Sequence, residues 1–318
     1  MVLKAQIAKL GYVALQSSDI EKSIVFFRDV IGLEVTDVID ETYYLRAWGD
    51  FQHHTLSITP GAIGKVQYIA FRTKEGAHVA QFKAQLQQKE ITVTDYPKGT
   101  TPGIGDSIRF QAASGHNIEL YYDVDQVEVE EQRRSVLKNQ TYKSWAKGVS
   151  PRRIDHVNIH TSAPENSAYQ FFVDDLGFRI NECIEQQDGQ LLAGWMSVTP
   201  LVHDVALVKH EQLETTARFH HISYWLDSAG DLMRAADILR EHGLPFIGPG
   251  KHSISQAIYL YVIDPGSGCR VELFTGGYLI LEPDWETVVW RPEERAFGNT
   301  YWGDSITGND LILSTIEA

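Results

Sequence analysis

The stretch RIDHVNIH (153–160) alternates: Ile154, His156, Asn158 and His160 fall on one face of a strand, and Asp155, Val157 and Ile159 on the other. LGYVAL (10–15) reads the same way, and each of the two is followed by helical spacing. In SSDIEKSIVFFRDVIGLEV, Asp19 caps a helix with the apolar stripe Ile20, Ile24, Phe27 and Ile31, and Gly32 is the stop. SAPENSAYQFFVDDLGFRI repeats this with Phe171, Phe172, Leu176 and Gly177. Strand-like pieces follow: TYYLRAW and HTLSITP after the first helix, LLAGWMSV and VHDVALVK after its repeat. A second pair of units opens with VQYIAFRT and HHISYWLD, continues with the helices EGAHVAQFKAQLQQKE and SAGDLMRAADILREHG, and closes with DSIRFQAASGHNIELYY and QAIYLYVIDPGSGCRVELF. The pattern predicts an α+β chain of four copies of strand, helix and about three strands. Two copies per half can curl around a cavity, the natural place for a ligand. The predicted division is a first domain over 1–140, a second over 141–290 and a tail over 291–318. The polar stretch 126–150 reads as a solvated connector.

Length supports two domains, at roughly 150 residues each: the chain has 318 residues, 43% hydrophobic and 22% charged. The net charge of −14 argues against nucleic acid and anionic membrane partners. The two cysteines, Cys183 and Cys269, are too few for a disulfide framework or a cysteine-based zinc site and suit a reducing cytoplasm. The start has no continuous apolar segment and no apolar run reaches the length of a membrane span, so neither signal peptide nor membrane helix is expected.

Aligning the halves exposes the candidate chemistry. LGYVAL on IDHVNI sets Tyr12 opposite His156, QYIAF on HHISY sets Tyr68 opposite His221, and SGHNIELY on SGCRVELF sets Glu119 opposite Glu272. The spacing agrees: 51 residues separate Tyr68 from Glu119 and His221 from Glu272. A lone histidine on such a face is ordinarily a structural polar group. Two histidines and a carboxylate at repeat-equivalent positions instead form the set that holds Fe(II) or Mn(II) with three coordination positions open. Two neutral imidazoles and one carboxylate leave a divalent ion with one positive charge, which a singly deprotonated diol would neutralise. The first half has phenols for imidazoles and is expected to be metal-free. By the same alignment His53 falls opposite His203.

At these residues the sequence resembles the type I extradiol ring-cleavage dioxygenases of the vicinal oxygen chelate superfamily, most of all the catechol 2,3-dioxygenases. The resemblance covers nearly the whole chain and is strongest in HDVALVKH, RFHHISYWLDSAGDLMRAADIL, GPGKHSISQAIYLYVIDP and VELF. It implies two barrel-like domains of paired βαβββ modules, with metal in the second only. The implied reaction is cleavage of a catecholic small molecule by O₂ beside its hydroxyls, at Fe(II), with Mn(II) the alternative, in a homo-oligomer, a tetramer by resemblance. His156, His221 and Glu272 match the metal ligands, while His220 is expected on the opposite face of its strand. His203 matches the histidine that acts as acid–base toward oxygen. His252 and Tyr261 match residues beside the substrate oxygens, and Asn158 and Trp195 match pocket positions. Two departures stand out. DPGSG has one residue more between Pro265 and Gly268 than the family signature, and Ile247 stands where carboxylate-recognising relatives tend to carry arginine. The latter points to an uncharged catechol. Metal-dependent isomerases, transferases and non-catalytic binding proteins share these modules; the gathering of the whole triad in one half, with His203, favours the dioxygenase.

Overall fold

The computed structural model describes residues 4–140, 147–210, 217–304 and 315–318; residues 141–146 of the connector and 305–314 of the tail lie outside the described residues. Four βαβββ modules follow one another. The first holds β1 (Ile7–Ser17), α1 (Ile20–Ile24), β2 (Glu34–Ile39), β3 (Thr42–Arg46) and β4 (Leu56–Pro60). The second holds β5 (Lys65–Thr73), α2 (Gly76–Gln88), β6 (Thr94–Tyr96), β7 (Ser107–Gln111) and β8 (Asn117–Tyr121). The third holds β9 (Arg153–Thr161), α3 (Ser167–Gln170), β10 (Arg179–Glu185), β11 (Leu191–Ser197) and β12 (Val205–Lys209). The fourth holds β13 (Ala217–Trp225), α4 (Ala229–Glu241), β14 (Phe246–Lys251), β15 (Ala257–Ile263) and β16 (Arg270–Gly276). The chain then adds β17 (Val288–Trp290), α5 (Arg295–Asn299), β18 (Trp302–Gly303) and β19 (Ile316–Glu317).

The modules of each half join through their first strands, β1 with β5 and β9 with β13, antiparallel. Each first strand also runs parallel to the last strand of its own module. The strand order is therefore β2-β3-β4-β1-β5-β8-β7-β6 in the first half. It is β10-β11-β12-β9-β13-β16-β15-β14 in the second. The chain beyond β16 belongs to this sheet: β17 pairs with β10, β18 with β14, and β19 with both β13 and β5.

Asp19 caps α1 by accepting from the Lys22 N–H at 3.1 Å. The helix does not continue regularly to Ile31, as its spacing predicts. It widens into a π-helical turn over Val25–Val30, with the Ile31 N–H bonded to the Phe26 carbonyl at 2.8 Å. The repeat does the same over Phe171–Asp175. Each wide turn carries two consecutive buried phenylalanines, Phe26–Phe27 and Phe171–Phe172. A regular helix swings successive side chains about 100° apart; the wider turn reduces that angle and brings both rings inward. Gly32 and Gly177 then leave the helices at φ 84° and 78°.

One apolar core runs through all four modules. Across the halves, Phe71 meets Phe178 with ring centroids 5.6 Å apart, and Phe110 meets Phe171 at 6.2 Å. Truncating such a ring to alanine costs about 3–5 kcal/mol. Polar ties reinforce the contact. Buried Asp264 accepts from Ser23 Oγ of α1 at 2.5 Å and from the Gly266 and Ser267 N–H groups of its own turn. A Cβ on Gly266 would lie 2.3 Å from the Asp19 carbonyl oxygen, so the lengthened turn is seated directly against the start of α1. Of the connector's described residues, 126–140 are largely exposed, Val136 to 93%, whereas 147–150 are not the solvated segment their composition predicts: Val149 is fully buried, and the Val149 and Ser150 N–H groups bond the Val30 and Ile31 carbonyls at 2.9 and 2.8 Å. Among the described residues no helix is long and apolar enough to cross a membrane.

His116 is the buried tie between the β7–β8 turn and β13. Its Nε2 lies 3.0 Å from the Arg218 carbonyl oxygen and its Nδ1 3.0 Å from Ser114 Oγ. Burial depresses its pKa to about 4. The folded chain keeps His116 neutral down to that pH, whereas the unfolded chain takes up the proton near pH 6.5. Protons therefore favour the unfolded state as pH falls from about 6.5 towards 4. Urea midpoints should drop across that interval, and His116→Asn should make the drop shallower. A midpoint indifferent to pH in the parent protein would contradict this.

Candidate metal centre

The ligand strands are irregular where the site forms. In β13, Phe219 pairs with Ile159 but His221 with Asn158, which leaves His220 as an extra, bulged residue. A second irregularity on β9 lies between Ile154 and Val157. β1 and β5 carry the same two, at Gly11 and Gln67. Bulges re-aim the side chains beside them. Strict alternation put His220 on the face away from His221. The bulge instead leaves their Nδ1 atoms 2.7 Å apart, with the His220 ring stacked on His160 at 4.8 Å.

The structure brings His156, His221 and Glu272 together, all buried. Glu272 Oε2 lies 2.8 Å from His156 Nε2 and 3.5 Å from His221 Nε2, and the two imidazole nitrogens are 3.3 Å apart. Ligand bonds of about 2.1 Å at right angles set neighbouring ligand atoms about 3 Å apart, so the three atoms fit a facial site. Glu272 Oε2 has no well-aligned hydrogen-bond donor despite these neighbours. All three ligand atoms lie within 4.8 Å of one another, close enough to hold one cation between them.

The surrounding groups orient the ligands. Asp155 Oδ2 lies 2.8 Å from His156 Nδ1, which leaves Nε2 facing the site. Burial opposes charge on His156, but Glu272 and Asp155 outweigh it and push its pKa up to about 9. Glu272 is held well below the usual carboxylate range, because His221 and His156 overcome its burial. Burial also keeps His203 well below its ordinary value, with His156 adding to the effect. The His203 ring centroid is 4.0 Å from that of His156, and its Nδ1 is buried with no hydrogen-bond partner among the described residues. Asn158 Oδ1 is likewise buried and unpartnered. Trp195 pairs with Ala206, which pairs with Asn158, so these side chains share one cross-strand row. Tyr261 pairs directly with Glu272, and its hydroxyl is 3.1 Å from His252 Nε2.

The tail completes this corner. His252 Nδ1 hydrogen-bonds the Asn299 carbonyl, and the Ser253 and Ile254 N–H groups bond the Gly298 carbonyl at 3.0 and 3.1 Å. Sequence reasoning missed the Asn299 carbonyl because a backbone acceptor carries no residue signature. It also missed Asp155, although an acid immediately before a candidate ligand histidine was a readable signal.

Comparison with known proteins agrees with this geometry. Residues 66–125 match the catechol 2,3-dioxygenase-like N-terminal domain, and residues 153–273 match the glyoxalase/bleomycin resistance protein/dioxygenase superfamily. The chain is 46% identical to the manganese-dependent 2,3-dihydroxybiphenyl 1,2-dioxygenase of Geobacillus genomosp. 3, over 99% of this chain and all of the relative. The chain belongs to the extradiol dioxygenases. It is also 34% identical to the metapyrocatechase of Geobacillus stearothermophilus, over 96% of each chain. The homoprotocatechuate 2,3-dioxygenase of Brevibacterium fuscum, solved with 3,4-dihydroxyphenylacetate, superimposes with a TM-score of 0.83 at 28% identity. That match covers 96% of this chain and 92% of the other.

The dioxygenase carries a second version of the site in its first half. Tyr12 Oη donates to Glu119 Oε1 at 2.6 Å and lies 3.5 Å from Tyr68 Oη. Arg109 forms an ion pair with Glu119 Oε2 and lies over the Tyr68 ring at 3.6 Å. Arg109 pairs with Glu119 in the register by which Tyr261 pairs with Glu272. A guanidinium thus supplies the positive charge that the buried Glu119 requires. Strand register also corrects one alignment. Val13 lies opposite Leu56 as Val157 lies opposite Val205, so His54, not His53, corresponds to His203. The rings agree, with Tyr12 and His54 at 4.4 Å.

Replacing His156, His221 or Glu272 by alanine is expected to abolish stoichiometric metal binding, measured by elemental analysis, while Tyr12→Phe and Tyr68→Phe leave it intact. Asp155→Asn should weaken metal affinity about 10- to 100-fold. Full metal occupancy in the His221→Ala protein would contradict the assignment.

Proposed function

We propose that this dioxygenase cleaves the ring of an uncharged catechol, unsubstituted or bearing an alkyl or aryl group, beside its hydroxyls. The product is of the 2-hydroxymuconate-semialdehyde type. The observation that carries this reading is the convergence of His156, His221 and Glu272 beside two buried polar atoms without protein partners, Asn158 Oδ1 and His203 Nδ1. The three ligands would hold Fe(II). Mn(II) is the second reading, favoured by the 46%-identical relative that is named manganese-dependent. When bound, the ion supplies Lewis acidity toward the diol and a template for diol and O₂.

The chain's own groups do the rest. His203 is kept neutral by burial, so it can take up a proton from the substrate and return it as cleavage proceeds. His252 carries its proton on Nδ1 toward the Asn299 carbonyl, which leaves Nε2 to meet the Tyr261 hydroxyl. In the substrate-free site the Tyr261 hydroxyl therefore donates to His252 Nε2, and that O–H is the donor that can turn toward charge developing on a substrate oxygen, with His252 holding the phenol in place until then. Asn158 and Trp195 line the pocket. Ile247 pairs with Tyr261 across β14 and β15 and presents an apolar side chain there. Arg291, a tail arginine that could recognise a carboxylate, pairs instead with Glu185 at 3.2 Å. The homo-oligomer implied by family likeness is part of this reading, and light scattering measures it.

Two measurements test it. His203→Phe should retain metal and catechol binding yet slow the steps after O₂ arrives by about 10²–10⁴-fold, as loss of a general acid–base does. Stopped-flow mixing of the anaerobic substrate complex with O₂ reads this directly; wild-type turnover in the variant would contradict the role. The parent protein, reconstituted anaerobically and exposed to air, should form yellow product from catechol and alkyl- or arylcatechols. Their kcat/KM should exceed that for 3,4-dihydroxyphenylacetate about tenfold or more, since a carboxylate without a partner is costly to desolvate. A preference for the acid would overturn the substrate assignment.

A further inference from the structure

Glu182, on β10, is 1% exposed and is not one of the converging ligands. Its Oε1 accepts from the Ser255 N–H at 2.7 Å and the Tyr278 hydroxyl at 2.9 Å, and its Oε2 accepts from the Trp290 indole N–H at 2.8 Å. Among the described residues no lysine, arginine or histidine forms an ion pair with it. Burial pushes its pKa up, while all three partners are donors and favour the carboxylate. A buried carboxylate without a cation is costly to keep, so its contacts call for an explanation.

The three donors come from separate segments that meet at one place. Ser255 closes the turn that begins at His252, and Ser255 and Gln256 sit at φ 61° and 58°, strained values for residues with side chains. The Ser253 and Ile254 N–H groups of this turn are bound by the Gly298 carbonyl, leaving the Ser255 N–H for Glu182. Trp290 belongs to β17, the strand that the chain beyond β16 adds beside β10. Tyr278 follows Gly276 and Gly277, just beyond β16. The turn is thus fastened to the tail helix on one side and to the sheet through Glu182 on the other.

We propose that Glu182 is a positioning residue that holds the 252–256 turn, and so sets the His252 imidazole against Tyr261. The inference rests on the role given to His252 above. Glu182→Leu removes the carboxylate at similar volume. It should leave metal content unchanged and lower kcat/KM on the order of 10²-fold, the cost of a misplacement near 1 Å. The effect should run through His252, so Glu182→Leu added to His252→Ala should lower kcat/KM no more than about twofold further. Glu182→Gln keeps an acceptor for Ser255 and Tyr278 and loses only the indole; it should fall between parent and Glu182→Leu, close to Trp290→Phe. Losses that multiply fully in the double variant would overturn the inference, as would parent-like kcat/KM in Glu182→Leu or a loss that follows metal content. If Glu182→Leu does not fold, the same cycle with Glu182→Gln decides between multiplying and non-multiplying losses. Parent-like activity of His252→Ala alone would instead count against the role of His252.

Discussion

A carboxylate sealed from water needs a cation or a full set of hydrogen-bond donors, and each half of this dioxygenase places one carboxylate at the same point of its sheet. Glu119 and Glu272 sit on the last strands of the second and fourth modules, beside the antiparallel pair that joins two modules. Both are buried, at 0% and 2% exposure. The first half satisfies its carboxylate internally, with Arg109 and the Tyr12 hydroxyl. The second half surrounds its carboxylate with imidazoles and a phenol, none of which carries a permanent charge, and so calls for an external cation. The change from Tyr261 to Arg109 at equivalent positions, together with the phenols of Tyr12 and Tyr68 in place of the imidazoles of His156 and His221, separates the two solutions. A fixed cation makes a structural ion pair, whereas an exchangeable one makes chemistry possible.

The remainder of the fold holds the second solution open. Bulges turn His156 and His221 toward the carboxylate, and Asp155 and His220 meet their outward nitrogens. The lengthened turn at Asp264 rests on α1, so the first half braces the hairpin that carries Tyr261 and Glu272. The tail closes over His252 with carbonyls from Gly298 and Asn299. The shared apolar core ties these parts into one body. Stability is thus spent on fixing the candidate ligands before any substrate arrives, which is what catalysis by positioning requires.

Repetition made the architecture readable. Four strand–helix phrases and a constant 51-residue interval between the last two ligand positions revealed the modules and the grouping of His156, His221 and Glu272. What escaped the sequence has physical reasons. Two adjacent histidines, His53 and His54, are indistinguishable by pattern, and only strand register selects His54. The bulge at His220 breaks the two-residue period on which face assignment depends. The π-helical turns follow from paired phenylalanines whose effect is visible only against the core. The tail has no strong period of its own, because its short strands are specified by the edges of β10, β13 and β14 that receive them.

The claim that one carboxylate takes an external cation and the other an internal one can be tested by anomalous diffraction from crystals of the metal-reconstituted protein. The account predicts a single anomalous peak per chain, enclosed by His156, His221 and Glu272, and no peak between Tyr12, Tyr68 and Glu119. A peak in the first-half site, or a fully loaded protein whose metal lies away from Glu272, would contradict it.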